Sequence, residues 1–336
     1  MARIFLTGAT GYVGGDVLYR LQQSTLVNLH LSCLVRDPHK AQNLSEIYPN
    51  VELVQGGLDD SDLLEEQAGK ADVVLNLAAT GHAGAASAIA KGLQQRETPG
   101  HWIQIGGASL FAAAEIAQNR YGQPSQEIHD DVADTDKIIR TIQSNPKRVV
   151  ENNLISQPAH VRTALLVIPL IYGTGRGPVN QRSIQAPEIA RSTLHLGHGF
   201  RLGAGQNAWS NIHIHDLSDQ VLALAEAAIN QRKGLWNENG IYCLENGNMP
   251  FGKLCNLIAA EAYSQGLITG TGIKEEIDAE KANSMSGHAA VLWGTNAVIN
   301  SSRSHAQLGW SPTAPDLSSE IATIVKSEAA SKKGIT

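Results

Sequence analysis

Three glycines, each three residues after the last, follow the first apolar run of the chain. Gly8, Gly11 and Gly14 lie between a strand-like run and an amphipathic helical pattern. In such a turn the first glycine permits a tight bend, the second lets backbone N–H groups approach a pyrophosphate, and the third lets the helix pack on the strand. Because the triplet occupies the first strand–helix junction, it predicts a dinucleotide-binding turn.

A basic residue stands at the end of the second apolar run. Arg36 follows Leu34 and Val35, near the place where dinucleotide-binding folds recognise the ribose 2′ position. An acidic residue there bonds the 2′-hydroxyl of NAD, whereas arginine accommodates a 2′-phosphate and can bind it with two hydrogen bonds. The sequence therefore favours NADP(H), or NADPH in its reduced form, as the cofactor. The alternative is that Arg36 is a solvated strand-end residue paired with Asp37.

Alternating strands and helices must position these residues. Apolar runs span 3–6, 29–35, 51–54, 73–79, 102–105 and 163–170, and helical patterns cover 15–23, 61–67, 85–95 and about 148–156. Strands that alternate with helices form right-handed crossovers and a parallel sheet covered on both faces. The predicted fold class is α/β, a Rossmann-type doubly wound parallel sheet with a smaller C-terminal substrate lobe.

The alternation breaks after Tyr172. The stretch 173–210 is rich in Gly, Gln, Asn and Arg and is too long for a plain connection in a compact domain. Later patterns predict helices at 221–229, 251–262 and 317–325 and a short strand at 241–244. We predict a dinucleotide-binding domain over 1–175, to which 207–245 returns, and a substrate lobe made of 176–206 and 246–336.

Composition narrows the classes of partner. The 336 residues are 42% hydrophobic and 17% charged, a composition that is typical of a globular protein. The net charge of -6 gives no basic surface of the kind that binds nucleic acid. No apolar run approaches the roughly 18 residues that cross a bilayer. Three dispersed cysteines and the lack of a leader pattern predict a cytoplasmic location. The expected partner is a small-molecule substrate, and the chain is expected to be a monomer or homodimer.

Several segments beyond the glycine turn resemble one superfamily. These segments are N-L-A-A at 76–79, P-L-I-Y-G at 169–173, N-I-H-I-H-D-L at 211–217 and L-G-W-S-P at 308–312. Together with the turn, they are similar to motifs of the extended and atypical short-chain dehydrogenases/reductases, which include NmrA-like and epimerase-like proteins. The segment N-Q-R-S-I-Q at 180–185 is similar to atypical fungal members, some of them biosynthetic enzymes. The resemblance spans nearly the whole chain.

The resemblance implies a set of cofactor-binding residues. The set is Gly8, Thr10, Gly11, Tyr12, Val13, Gly14, Arg36, Leu58, Leu77, Ala78, Ala79 and Leu170. Gly57 stands where the family has an aspartate that contacts adenine, but Leu58 can still pack on the adenine ring.

The catalytic motif of the superfamily is absent. Short-chain reductases use Tyr-x-x-x-Lys with a Ser or Thr, in which tyrosine donates a proton and serine bonds the carbonyl. None of the seven tyrosines has a lysine four residues later. Ser109 lies at or one place beyond the usual serine. The lysine position falls either on Lys147, which is preferred and leaves Gln143 in place of tyrosine, or on Lys137, which leaves Ala133.

Other side chains could carry protons instead. Tyr172 follows the sixth strand at the carboxyl edge of the sheet, although this tyrosine is generally structural in relatives, and His82 lies at the same edge. Histidine is the usual proton carrier near neutral pH. His213 and His215 are expected to alternate on an apolar strand, and since no third ligand is evident we predict no metal site. Residues 129–131 are expected to form a solvated polar loop.

The loop 175–185 supplies guanidinium and amide donors where relatives bind substrate. A nucleotide-sugar epimerase would use such donors for a diphosphate, yet the acid/base pair that epimerases need is missing. The favoured function is NADPH-dependent reduction of a carbonyl or imine of a small organic molecule. The alternatives are a non-redox biosynthetic enzyme catalysing cyclisation, elimination or isomerisation, and an NmrA-like regulator that senses NADP(H).

Overall fold

A seven-stranded parallel sheet forms the centre of the protein. A computed structural model describes residues 1–333. The strands are β1 Ala2–Thr7, β2 Leu29–Val35, β3 Glu52–Gln55, β4 Val73–Asn76, β5 Gly100–Gly107, β6 Ile128–Asp130, β7 Val161–Ile168, β8 Leu170–Tyr172, β9 Gly199–Leu202, β10 Ala208–His213, β11 Ile241–Cys243, β12 Asn248–Pro250, β13 Ile273–Ile277 and β14 Val298–Asn300. The sheet order is β11-β7-β5-β4-β1-β2-β3, with every pair parallel. This confirms the predicted α/β class and Rossmann-type sheet.

Helices cover both faces of this sheet. The α-helices of residues 1–333, including those of the C-terminal half, are α1 Tyr12–Gln22, α2 Pro38–Ile47, α3 Ser61–Lys70, α4 Ala83–Gln94, α5 Ala113–Ala117, α6 Thr135–Gln143, α7 Val149–Ile155, α8 Gln185–Leu196, α9 Ile214–Ile229, α10 Phe251–Ser264, α11 Ala279–Met285, α12 Ala289–Gly294, α13 Ser302–Leu308 and α14 Leu317–Lys333. Successive side chains of a strand point to opposite faces. Accordingly Ile4 and Leu6 of β1 join the core beneath α1 and α9, whereas Phe5 joins the core beneath α3, α4 and α7.

The topology places the glycine turn at the point where the strand order reverses. From β1 the chain proceeds outward to β2 and β3, and then returns to β4 on the other side of β1. The chain therefore leaves the carboxyl ends of β1 and β4 in opposite directions, and a crevice forms between the two connections. Open α/β sheets bind their ligands in such a crevice.

The C-terminal half builds a second layer of structure beside this crevice. Pro169 separates β7 from β8, and β8 leaves the large sheet to pair with β10, which in turn pairs with β12. Helices α8, α10 and α14 pack against one another, while β11 returns to the edge of the large sheet. The predicted boundaries between the two lobes stay predictions. Residues 334–336 of the predicted substrate lobe lie outside the described residues.

Two sequence-based expectations are wrong. His213 and His215 do not alternate on one strand, because β10 ends at His213 and α9 begins at Ile214, where the His213 Nδ1 atom accepts a hydrogen bond from the backbone N–H of His215 at 3.1 Å. Residues 129–131 are not a solvated loop. His129 stacks on Phe111, and Asp131 is fully buried.

Asp131 is buried because it organises a junction between distant segments. Its carboxylate accepts hydrogen bonds from the backbone N–H groups of Cys243 at 2.9 Å and Arg303 at 2.8 Å. The guanidinium of Arg303 donates to the carbonyl of Asp131 at 2.7 Å and to Thr135 Oγ1 at 2.9 Å. Strand β11 and helices α6 and α13 are joined in this way. A sequence pattern cannot show such pairing, since the partners lie more than a hundred residues apart.

Residues 1–333 contain neither a candidate membrane-spanning helix nor a candidate metal cluster. No helix there is long and apolar enough to cross a bilayer. No group of three or more His, Cys, Asp or Glu side chains in the same range could hold a metal ion.

A neutral histidine is buried inside the sheet. His101 of β5 has no solvent exposure, packs edge-on against Trp236 and lies 3.4 Å from both the carbonyl of Asp72 and a guanidinium nitrogen of Arg162. Burial, followed by the nearby charge of Arg162, lowers the pKa of His101 to about 4. The folded state therefore holds this imidazole without its proton at neutral pH.

We predict that this histidine makes the fold acid-sensitive. Because the pKa of His101 lies below its unfolded value of 6.5, the unfolded chain binds the extra proton first. Stability is then complete above pH 6.5 and is lost as the pH falls towards 4, by about 3 kcal/mol for a shift of this size. Urea unfolding of His101→Gln across this range should show a shallower loss than wild type. His39→Gln, at an exposed position, should keep the wild-type slope. Equal slopes in wild type and His101→Gln would contradict the prediction.

Candidate cofactor and substrate site

The glycine turn leaves room for a ligand at only one of its three glycines. Gly8 has a φ of +86°, and a Cβ added there would lie 2.7 Å from the carbonyl oxygen of Leu77. A Cβ on Gly14 would clash with the carbonyl of Gly8, so both positions are needed for packing. A Cβ on Gly11 would meet only Gly8 O, at 3.2 Å, and otherwise open space. Gly11 is also the N-cap of α1, whose first N–H groups face that space, so the turn fits a pyrophosphate.

A cavity of about 420 Å³ opens from this turn. It includes six residues of the predicted cofactor set, Gly8, Gly11, Tyr12, Val13, Leu77 and Ala78. The cavity is also lined by Pro169, Ile171, Asn180 and the segment 182–185. Leu170 of the predicted set is buried between Pro169 and Ile171, because neighbouring residues of a strand face opposite ways. Thr10 and Leu58 are half-buried and Ala79 is exposed, all outside the cavity wall.

Arg36 is exposed at the carboxyl end of β2 and has no ion-pair partner among residues 1–333. The carboxylate of Asp37 does not pair with it but caps α2, accepting hydrogen bonds from the backbone N–H groups of His39 at 2.9 Å and Lys40 at 3.3 Å. These two backbone bonds, that of Lys40 first, lower the pKa of Asp37. The stem of Arg36 lies 3.6 Å from the place where Gly57 would carry a Cβ. A guanidinium is thus left available at the edge of the crevice.

The predicted serine is approached by a residue that sequence reasoning passed over. Lys147 is exposed, and its backbone N–H bonds the Asn145 side chain. Its neighbour Arg148, just before α7, donates from Nη2 to Ser109 Oγ at 3.2 Å and from Nη1 to the buried Glu151 carboxylate at 3.2 Å. The structure therefore brings Arg148, and not Lys147, to Ser109. The adjacent Lys-Arg pair was the available signal, but the start of the helix decides which of the two turns inward.

Tyr172 does not reach the cavity. Its side chain has no solvent exposure, and its hydroxyl lies 2.8 Å from the carbonyl oxygen of Pro315 and 3.1 Å from Asn246 Oδ1. Burial raises the pKa of Tyr172 well above its ordinary value. The geometry fits a residue that joins the C-terminal segment to β8, and its catalytic role stays a prediction.

His82 lies on the side of the crevice that faces β3. It caps α4, where its Nδ1 atom accepts a hydrogen bond from the backbone N–H of Ala85 at 3.1 Å. Its Nε2 atom lies 3.2 Å from Asp59 Oδ1. His82 does not line the cavity, so its role as a proton carrier also stays a prediction.

The loop 173–184, which we call the substrate loop, is built on helix α1. The Tyr12 hydroxyl donates to the carbonyl of Gly173 at 2.6 Å. The buried carboxylate of Asp16 accepts hydrogen bonds from the backbone N–H of Arg176 at 2.7 Å, from its Nη2 atom at 2.6 Å and from Ser218 Oγ at 2.6 Å. Sequence reasoning missed Asp16, although a carboxylate among apolar helix positions was a visible signal.

Glycines let the loop and the helix approach closely. A Cβ on Gly177 would lie 2.7 Å from the backbone of Gly15, and a Cβ on Gly175 would lie 3.1 Å from the Tyr12 ring. One face of α1 thus supports the substrate loop, while its N-terminus faces the cavity.

Comparisons with known proteins agree with this geometry. Residues 8–144 match a family model described as NAD(P)H-binding. The chain is 38% identical over 341 aligned residues to "Oxidase ucsJ" of Acremonium sp., covering 97% of each protein.

Solved structures share the fold at low sequence identity. The dTDP-glucose 4,6-dehydratase DesIV of Streptomyces venezuelae, solved with NAD and TYD, is 13% identical with a TM-score of 0.67, over 99% of this chain and 98% of that one. The UDP-glucose 4-epimerase of Thermotoga maritima, solved with UDP-glucose, is 12% identical with a TM-score of 0.60, over 99% and 100%. The predicted resemblance is confirmed at this level: residues 8–144 form an NAD(P)H-binding domain, the fold is that of dehydratases and epimerases, and the chain belongs to the same family as the Acremonium oxidase.

Proposed function

We propose that this protein is an NADP(H)-dependent oxidoreductase that acts on a carbonyl or imine carbon of a small organic molecule. The observation that carries the proposal is the open space at Gly11, which leads from the N-terminus of α1 into a cavity closed by the substrate loop. The relative from Acremonium is named an oxidase, which supports redox chemistry. The bound nicotinamide would supply or accept the hydride.

The preference for NADP(H) rests on Arg36. Its guanidinium is exposed and unpaired among the described residues, and arginine binds phosphate with two parallel hydrogen bonds. Gly57 adds to this preference, because an aspartate in its place would put a carboxylate beside the stem of Arg36. That carboxylate would neutralise the cation that a 2′-phosphate needs.

Ser109 follows β5, whose Ile105 lines the cavity, but Ser109 itself lies outside the cavity wall. We propose that a substrate extending from the cavity towards the end of β5 contacts the Ser109 hydroxyl. Its Oγ atom accepts a hydrogen bond from Arg148, which leaves the proton of Ser109 free to donate. Glu151, which is buried, holds Arg148 in place. Ser109 would hydrogen-bond the carbonyl oxygen or imine nitrogen, and Arg148 is a positioning residue that keeps a positive charge near the developing anion.

The cavity offers no free phenol for proton transfer. Among the described residues that line it, Tyr12 is the one tyrosine, and its hydroxyl already donates to Gly173 O. Burial, followed by the negative charge of Asp16, raises the pKa of Tyr12 well above its ordinary value. A substrate that is already activated, such as an iminium ion, accepts hydride without a proton donor, so we propose that such substrates are preferred.

The remaining proposals concern the setting of the enzyme. Cys33, Cys243 and Cys255 are buried and unpaired, in keeping with the reducing, cytoplasmic location that we propose. We also propose a biosynthetic role and a monomeric or homodimeric state.

We predict that NADPH binds at least ~10-fold more tightly than NADH, a difference of about 1.4 kcal/mol. Arg36→Ala should remove most of this difference by weakening NADPH alone, because NADH has no 2′-phosphate. Arg201→Ala, which removes the same charge from a distant strand, should leave both affinities unchanged. Calorimetric titration measures the four affinities. Equal wild-type affinities for the two cofactors would contradict the role of Arg36.

We predict that turnover is slow with plain ketones and faster with cyclic imines. General-acid catalysis by the usual tyrosine contributes roughly 100 to 10,000-fold, and no phenol is placed to supply it here. With NADPH oxidation as the readout, Tyr172→Phe and His82→Ala should keep most of the activity on imines, whereas Ser109→Ala should lose at least ~10-fold. Fast turnover of ketones that is abolished in Tyr172→Phe would show that a relocated tyrosine carries the ordinary mechanism.

A further inference from the structure

The substrate loop contributes two arginines, and both are already neutralised by carboxylates of this chain. Arg176 is held by Asp16, which has no solvent exposure and bonds both the backbone N–H and the guanidinium of that arginine. The same guanidinium lies over the ring of Tyr19, 4.9 Å from its centre. Arg176 is therefore turned towards α1 and is not presented to the cavity, whose lining does not include it.

Arg182 does line the cavity, but it faces two carboxylates. Its Nε and Nη2 atoms donate to the two oxygens of Glu328 at 2.7 and 3.0 Å, and Nη2 also donates to Glu188 Oε1 at 2.8 Å. The Glu328 side chain is only 6% exposed. These carboxylates, Glu328 first, raise the pKa of Arg182. Glu188 also pairs with Arg191. The positive charges of these two arginines are therefore matched by the negative charges of Glu188 and Glu328.

The rest of the cavity wall carries no charge within the part of the chain that the structure describes. Five apolar side chains also line the cavity, namely Ile105, Pro169, Ile171, Ile184 and Leu292. The side-chain amide of Gln185 is occupied, since it donates to the carbonyl of Leu292 at 2.9 Å. Ile184 is 62% exposed, although it is a large apolar residue. An apolar ligand would remove that side chain from water, which is favourable.

We propose that the substrate site selects a largely apolar molecule without negative charge, and that it excludes the nucleoside diphosphate sugars bound by proteins of the same fold. This inference rests on the proposed function, because it takes the cavity beside the glycine turn as the substrate site. Away from the glycine turn, which the cofactor would occupy, a diphosphate placed here would meet no uncompensated cation. It would also lie near the buried carboxylate of Glu328, and a charge that is removed from water without a partner is costly.

The first test measures ligand binding to the wild-type protein saturated with NADPH, so that the pyrophosphate space at Gly11 is taken by the cofactor. Calorimetric titration with UDP-glucose and with UDP should give no binding tighter than ~1 mM, whereas the uncharged dye Nile red should bind with increased fluorescence. Ile184→Asp should weaken Nile red binding by at least ~10-fold, since it puts a charge into the apolar wall. Ile47→Asp, at an exposed position on α2, is the matched control and should not. Binding of UDP-glucose below ~100 μM, or an unchanged Nile red affinity in Ile184→Asp, would overturn the proposal.

The second test restores a free cation. Glu328→Gln removes one of the two carboxylates that compensate Arg182, so UDP and inorganic pyrophosphate should bind at least ~10-fold more tightly than to wild type. Glu66→Gln, which removes the same charge from the Lys70 pair on α3, should bind as wild type does. If Glu328→Gln keeps its circular-dichroism spectrum but gains no anion affinity, the charge argument is wrong.

Failure of this inference can be told apart from failure of the proposed function. The proposed function would be wrong if the wild-type protein did not bind NADPH, or if it oxidised NADPH with none of the carbonyl and imine substrates. Tight binding of UDP-glucose to a protein that also binds NADPH would leave the cofactor site intact and overturn only the choice of substrate.

Discussion

The buried carboxylate of Asp16 is the interaction on which the site depends. It lies in the second turn of α1, the helix whose N-terminus faces the space for a pyrophosphate, and it holds Arg176 of the substrate loop and Ser218 of α9. Removal of one partner of a buried ion pair leaves an uncompensated charge, which is strongly destabilising. Helix α1, the substrate loop and helix α9 are therefore positioned relative to one another by the carboxylate of Asp16.

The arginines of the substrate loop show how the site of this chain is built. Of the structures that share the fold, one was solved with UDP-glucose and another with NAD and TYD. Here the arginines of the substrate loop are used within the protein: Arg176 fixes the loop to α1, and Arg182 joins it to Glu328 of α14. The two ion pairs hold the loop in place, and as a result neither arginine of the loop is free to bind an anion. The cavity wall beside the loop includes the apolar residues Ile105, Ile171 and Ile184.

Local signals allowed much of the fold and part of the site to be predicted. The glycine turn and the alternation of apolar runs with helical patterns identified the parallel sheet, because these features depend on neighbours in sequence. Helix α2 was missed because Leu44 is its only buried residue, which gives almost no periodic signal. Asp131, Arg148 and Glu328 could not be assigned roles, because each acts through a partner that only the folded chain brings near. The exact start of α7 decided between Lys147 and Arg148, and sequence patterns define such boundaries poorly.

Helix α1 joins the glycine turn to the substrate loop, and we expect the two to respond together when NADPH binds. Hydrogen–deuterium exchange with and without NADPH tests it most directly, with Gly11→Val as the control in which a side chain fills the cradle. We expect NADPH to slow exchange in the turn 8–15 and also in the loop 173–184, which lies against α1, and to slow neither in Gly11→Val. Protection of the turn without any change in the loop would contradict the account, as would protection that persists in Gly11→Val.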